Sequence, residues 1–217
     1  MGLLLCDLDD TLLDRARAFG QWAESFAEQN GDRYAVPWLR EQDQDGYKPR
    51  SEFFAAIRAR FESAGSVEEL TASFYEQITG LLRLEIPVRR CLESLRSQGW
   101  RIAIVTNGSP NPANKIRSTG LDELVDAWCV SSLEGWRKPD VRLFALAAER
   151  CGVPLAGAWV VGDGPDSDIA GAHDAGLPSV WLSRGRVWER ERFRPTRVAD
   201  SFEVATSILM RAERYGG

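Results

Sequence analysis

Histidine is almost missing from this chain of 217 residues: His173 is the only one. Zinc sites built on imidazole are thereby nearly removed, and any Ser-His or Cys-His pair has a single candidate base. That candidate lies in the small-residue run Ala170-Gly-Ala-His-Asp-Ala-Gly176, which predicts a helix carrying a surface or partly buried histidine. Cysteine is scarce too: Cys6, Cys91, Cys129 and Cys151 are scattered, with no CxxC. They predict reduced, mostly buried thiols in a cytosolic protein rather than a disulfide frame. Basic charge is not in surplus, and a net charge of -5 leaves no footprint for nucleic acid. Long apolar runs are lacking: the first is too short for a signal peptide or a spanning helix and has no basic leader. Gly2 invites a myristoylation check, but Cys6 stands where Ser or Thr is required. No internal repeat or low-complexity linker interrupts the chain.

What is present begins at Leu3-Leu4-Leu5-Cys6-Asp7-Leu8-Asp9-Asp10-Thr11-Leu12. A short apolar run reads as a strand buried on both faces, and it runs into three carboxylates within four residues. Strand alternation would place Asp7 and Asp9 on one side, about 7 Å apart, with Leu8 turned away. Like charges that close are tolerable if a divalent cation stands between them. A strand ending in a solvated acidic turn is the plain alternative.

From Asp14 to about Leu82 only helix and loop patterns appear. Ala18/Phe19, Trp22/Ala23 and Phe26/Ala27 form an apolar stripe that Gly31 stops. Residues 33–50 read as irregular, with Pro37 and the Asp45-Gly46 turn signal. Ser51 can cap a helix carrying Phe53, Phe54, Ile57 and Phe61, and Ser66-Val-Glu-Glu69 is a capping box opening the next. From Pro87 helices and strands alternate: helix 87–98, strand 101–106, helix 111–119, strand 127–131, helix 140–150, strand 158–162, helix 168–175 and strand 179–183. A polar, Arg-rich loop (184–197) and a last helix near 201–214 follow. Alternation of this kind predicts an α/β fold, a Rossmann-like parallel sheet flanked by helices. The expected domains are a core of residues 1–13 plus 83–217, and an all-helical insertion, 14–82, after the first strand.

In open α/β sheets, ligands bind beyond the carboxyl ends of the strands. Here those ends carry Asp7 and Asp9, then Thr106-Asn107-Gly108, then Asp163 with Asp168 beyond it, while Lys138-Pro139 opens a helix between. Singly each has a bland explanation; together they set four acids, a hydroxyl and a cation around one sheet edge. The pattern resembles the haloacid-dehalogenase-like hydrolases over essentially the whole chain. Asp7-Leu-Asp9-Asp10-Thr11-Leu12, Thr106 with Asn107-Gly108, Lys138-Pro139 with Phe144, and Gly162-Asp163-Gly-Pro-Asp-Ser-Asp168 match the four family motifs in order. The 14–82 block resembles the family's helical cap. Trp136, where smaller residues are common, and Val141, often a proline, are mild departures, the former one that could narrow the entrance.

The resemblance implies a Mg²⁺-dependent phosphatase acting on a small phosphorylated metabolite, with no nucleic acid or membrane partner. Asp7 would be the nucleophile that forms an aspartyl-phosphate, Asp9 the general acid and base, and Lys138 the charge stabiliser. Thr106 and the Asn107 backbone N–H would bind phosphate. Mg²⁺ would be held by Asp7, Asp163 and a backbone carbonyl, that of Leu8 or else of Asp9, with Asp168 holding a metal-bound water or the lysine. Asp10 would brace the loop. A phosphomutase shares every motif, a 2-haloacid dehalogenase usually lacks an acid at the position of Asp9, and a phospho-accepting receiver module is the alternative outside the family. Arg15, Arg40, Lys48 and Arg50 are insertion cations that could meet an anionic substrate, although a solvated face is their ordinary role.

Overall fold

The computed structural model describes residues 2–61, 65–108 and 112–215. Six strands among them, β1 (Leu3–Cys6), β2 (Arg101–Thr106), β3 (Ala127–Val130), β4 (Trp159–Gly162), β5 (Ser179–Leu182) and β6 (Arg197–Ala199), make one sheet in the order β3-β2-β1-β4-β5-β6. All five neighbouring pairs are parallel. That order reverses direction between β1 and β4, and the crevice at such a switch point is where ligands bind in doubly wound sheets.

The chain divides into two compact units, Met1–Leu13 with Leu84–Gly217, and Asp14–Arg83. In the first, β1 is buried along its whole length, as a central parallel strand covered on both faces must be. Leu3, Leu5, Ala103, Val105, Cys129 and Val160 pack against Leu143, Phe144 and Ala147 of α8 (Val141–Arg150). Helix α10 (Phe202–Tyr215) packs on α5 (Ile86–Ser97), β5 and β6. All four cysteines are free, Cys6 and Cys129 buried and the other two half-buried.

The second unit holds α1 (Arg15–Gln29), α2 (Val36–Asp43), α3 (Arg50–Arg60) and α4 (Val67–Leu81). Its core is aromatic: Trp22 stacks on Phe26 at 5.1 Å and meets Phe74 edge-on at 4.8 Å, with Phe19, Phe53 and Phe54 closing the cluster. The capping box is present on α4, Ser66 Oγ accepting from the Glu69 N–H while the Ser66 N–H donates back to Glu69.

The structure departs from the sequence pattern in several places. Helix α2 lies in the stretch expected to be irregular, because Pro37 occupies the first turn, where its missing N–H is no loss. Helix α3 starts at Arg50, one residue before the cap expected at Ser51. Strand β6 lies at the end of the stretch expected to be an Arg-rich loop; Arg197 and Val198 are exposed and only Ala199 is buried, so this edge strand has no apolar run to announce it. The helix expected from Asp168 begins instead with a wide π turn, Pro165–Ile169, before α9 (Ala170–Asp174). Helix α6 is described from Pro112 to Ser118; its expected start at Asn111 lies outside the described residues. Arg15 and Arg50 are not on a solvated face: both donate to Asp43, itself 2% exposed, at 2.7–2.8 Å. A buried carboxylate requires such partners. Lys48 donates to Gln42, while Arg40 is exposed. Trp136 packs on the core beside α8 under Arg142, so its ring is part of the packing.

Candidate active site

Strand β1 stops at Cys6, and the ladder continues for one bond, the Asp7 N–H donating to the Val161 carbonyl at 2.9 Å. This bond fixes Asp7 beside the end of β4, whose next residue past Gly162 is Asp163. The π turn carries Asp168 back over that end. Gly162 makes room for it, since a Cβ there would overlap the Asp168 carboxyl group. One carboxylate oxygen from each of Asp7, Asp163 and Asp168 lies within 4.8 Å of the others.

Lys138 neutralises part of this cluster. Its Nζ donates to Asp7 Oδ1 and to Asp168 Oδ1, each at 2.6 Å, and the residue is 3% exposed. The other Asp168 oxygen accepts the Gly164 N–H at 2.9 Å. Asn107 holds the lysine from behind: its side-chain amide donates to the Lys138 carbonyl and accepts the Lys138 N–H, at 2.9 and 2.8 Å. Thr106, the last residue of β2, is buried beside it in sequence.

Crowded anions raise one another's proton affinity. Burial pushes the Asp7 carboxyl up to about 7, with Lys138 pulling down and Asp168 pushing further up. Burial, then Asp7, Asp168 and Asp10, push Asp163 to about 8, against the pull of Arg186. Burial alone would lower the Lys138 ammonium, but Asp168 and Asp7 together hold it above its ordinary value. An acid whose folded value is raised binds more protons folded than unfolded, so stability falls as pH rises through the interval. The metal-free protein should therefore lose Tm between pH 5 and pH 8.5, by about 5 °C or more. Thermal melts with and without Mg²⁺ check this. A divalent ion bound by these acids flattens the curve, and a Tm that rises over the same range contradicts the arrangement.

Asp9 and Asp10 have cations of their own. The carboxylates of Asp7 and Asp9 do not lie side by side on a strand face: the strand has already ended, and the Asp9 carboxylate meets Lys115 of α6, whose Nζ is 2.9 and 2.7 Å from its two oxygens. Asp10 adopts a left-handed φ of 62° in the loop and pairs with Arg184 at 3.1 Å, in keeping with a bracing part. The carbonyl of Leu8 accepts from both Leu12 and Leu13 N–H at 3.0 Å, which engages its two lone pairs within the loop and removes it as a metal ligand. His173 is exposed on α9, its ring beside that of Phe193.

Three residues here gave no signal in the sequence. Lys115 is one lysine on a short helix, and Arg184 and Arg186 belong to the Arg-rich loop. Arg186 Nη2 donates to the Asp163 carbonyl and to Asp163 Oδ2, at 2.7 and 3.0 Å.

A family model described as haloacid dehalogenase-like hydrolase matches residues 1–176. A phosphoserine phosphatase of Thermus thermophilus is 31% identical, with 94% of this chain and 98% of that protein aligned. A glyceraldehyde 3-phosphate phosphatase of Pyrococcus abyssi is 28% identical, with 85% and 82% aligned. The solved HAD phosphatase of Thermococcus onnurineus shares the fold, with a TM-score of 0.67 at 24% identity over 96% of this chain and 98% of that one. Among the described residues, no helix is long and apolar enough to cross a membrane.

Proposed function

The chain belongs to the haloacid dehalogenase-like hydrolases and is a phosphatase of that family; from that membership we propose that it hydrolyses a small phosphate monoester with Mg²⁺, through an aspartyl-phosphate on Asp7. The observation that carries the proposal is the lysine shared between Asp7 and Asp168, with Asp163 alongside, at the crevice of the sheet.

The donor set fits Mg²⁺. Three clustered carboxylates, Asp7 half-buried and the other two buried, face two cations, Lys138 and Arg186, which leaves one negative charge unbalanced, and the donors are all hard oxygens. Asp7, Asp163 and the Asp9 carbonyl would hold the ion, whereas Asp168, with both oxygens engaged, would hold the lysine. The bound ion would supply charge neutralisation that lets a carboxylate approach a phosphate dianion.

The side chains then divide the work. An Asp7 oxygen bonds to phosphorus in line as the bond to the leaving oxygen breaks. Lys138 offsets charge on Asp7 and on the group in transit, and the Thr106 hydroxyl with the Asn107 N–H holds phosphoryl oxygens. Asp9 gives its proton to the leaving alkoxide, then takes one from the water that cleaves the acyl phosphate and frees inorganic phosphate. Departing halide would need no proton, so an acid at this position favours phosphate esters. The helical unit Asp14–Arg83 takes the part of the cap.

Release of inorganic phosphate from p-nitrophenyl phosphate and from a panel of metabolite esters, phosphoserine and glyceraldehyde 3-phosphate included, tests the proposal. Turnover in Mg²⁺ that disappears in chelator is expected. Equal turnover in chelator would overturn the metal assignment, and no release from any ester would overturn the activity.

A further inference from the structure

Asp9 is gripped by a cation to which the reaction above gives no part. Arginine supplies nearly all the positive charge of this chain; its lysines are Lys48, Lys115 and Lys138. Two of the three end on acids at the same edge of the sheet. Lys138 is committed to Asp7 and Asp168, and Lys115 takes Asp9 by both oxygens, at 2.9 and 2.7 Å. The pair is far apart in sequence: Asp9 follows β1, and Lys115 lies on α6, beyond β2. Both side chains are partly buried.

An aspartate in a loop rotates about two side-chain bonds, yet proton transfer to a leaving oxygen needs one carboxylate oxygen at hydrogen-bond reach of one point. A cation touching both oxygens of the ionised carboxylate removes that freedom; when Asp9 carries a proton on the oxygen facing the leaving group, Lys115 keeps the other oxygen. We propose that Lys115 is a positioning residue, which fixes the carboxylate of Asp9 for its exchange of protons with the leaving group and with water. This rests on the assignment of Asp9 as the general acid and base. The plain alternative is a staple that ties α6 to the loop after β1 and contributes stability alone.

Leaving groups of different basicity separate the two. An alkoxide must be protonated as it leaves, whereas p-nitrophenolate leaves as the anion, and kcat/KM reports the step that forms the acyl phosphate. Lys115→Met should lower kcat/KM for an alkyl phosphate about 10- to 100-fold, and for p-nitrophenyl phosphate less than about 3-fold. In an Asp9→Asn background the same substitution should have no further effect on the alkyl ester. Lys115→Arg, which keeps a cation on the carboxylate, should recover most of the alkyl activity. Equal losses on both esters, accompanied by a lower Tm, would make the pair a staple and overturn the proposal. So would a Lys115→Met effect that persists without Asp9. Wild-type turnover of both esters with no Lys115 effect removes this proposal alone; failure of the wild type on both removes the phosphatase assignment with it.

Discussion

Asp7→Asn should abolish turnover, by at least about 10⁴-fold in kcat, without lowering the Tm of the metal-free protein. The two halves of that result have separate causes. The amide keeps the shape of the carboxylate, but its oxygen is too weak a nucleophile to displace an alkoxide from phosphorus. For stability, Asp7 is one of three crowded acids, held up at about 7 by burial and by Asp168. Making it neutral removes repulsion, while Lys138 keeps its partner in Asp168 at 2.6 Å. At pH 8 the Tm should be equal or higher, and Mg²⁺ affinity measured by calorimetry should fall. Residual activity above about one hundredth of wild type would remove Asp7 as the nucleophile. A clear drop in Tm would instead make its part structural.

Lys138→Met should be damaging in a different way, since the substitution strikes both the fold and the chemistry. The side chain is fully enclosed, and its removal strands Asp7 and Asp168 with no cation between them. Breaking one side of a buried ion pair destabilises by about 3–5 kcal/mol, or a Tm drop of about 10 °C in a chain this size. Activity should fall about 10³-fold, the order expected when a preorganised charge is lost from the transition state. Two further measurements establish the cause. Mg²⁺ should restore part of the Tm, by returning positive charge to the acids. Asp168→Asn added to Lys138→Met should restore stability further without restoring activity. If the double variant is no more stable than the single one, stranded charge is not the reason for the loss.

Both substitutions concern residues whose type and placement could be read from the chain alone, and the reason is physical. Asp7, Thr106 and Asp163 each end a buried apolar strand, and parallel strands covered on both faces announce themselves as runs such as Leu3–Cys6 and Ile102–Val105. The chemistry is appended to the most legible elements of the fold. What could not be read is what long-range approach creates. Asn107 clamps the backbone of Lys138 from a different strand end, Lys115 closes on Asp9, and Arg186 grips Asp163. None of these pairs has a sequence spacing that local geometry could reveal. The Leu8 carbonyl fails for a related reason: which carbonyl faces outward depends on the turn that Leu12 and Leu13 make back onto it. Arg15 and Arg50 show the same limit in the helical unit, since a buried Asp43 decides their fate and Asp43 looks in sequence like any surface acid.

The position of β1 in the sheet has a consequence for how the chain is made. This strand leaves the ribosome well before both of its neighbours in the sheet: β2 begins at Arg101 and β4 at Trp159. In between, the whole of Asp14–Arg83 emerges as an uninterrupted stretch, with its aromatic cluster complete before any sheet can form. At about 5–20 residues per second, the run Leu3–Cys6 waits many seconds with its apolar faces and ladder groups unpaired. The nascent chain thus carries Asp7 on an unpaired strand end until Val161 arrives to accept its N–H.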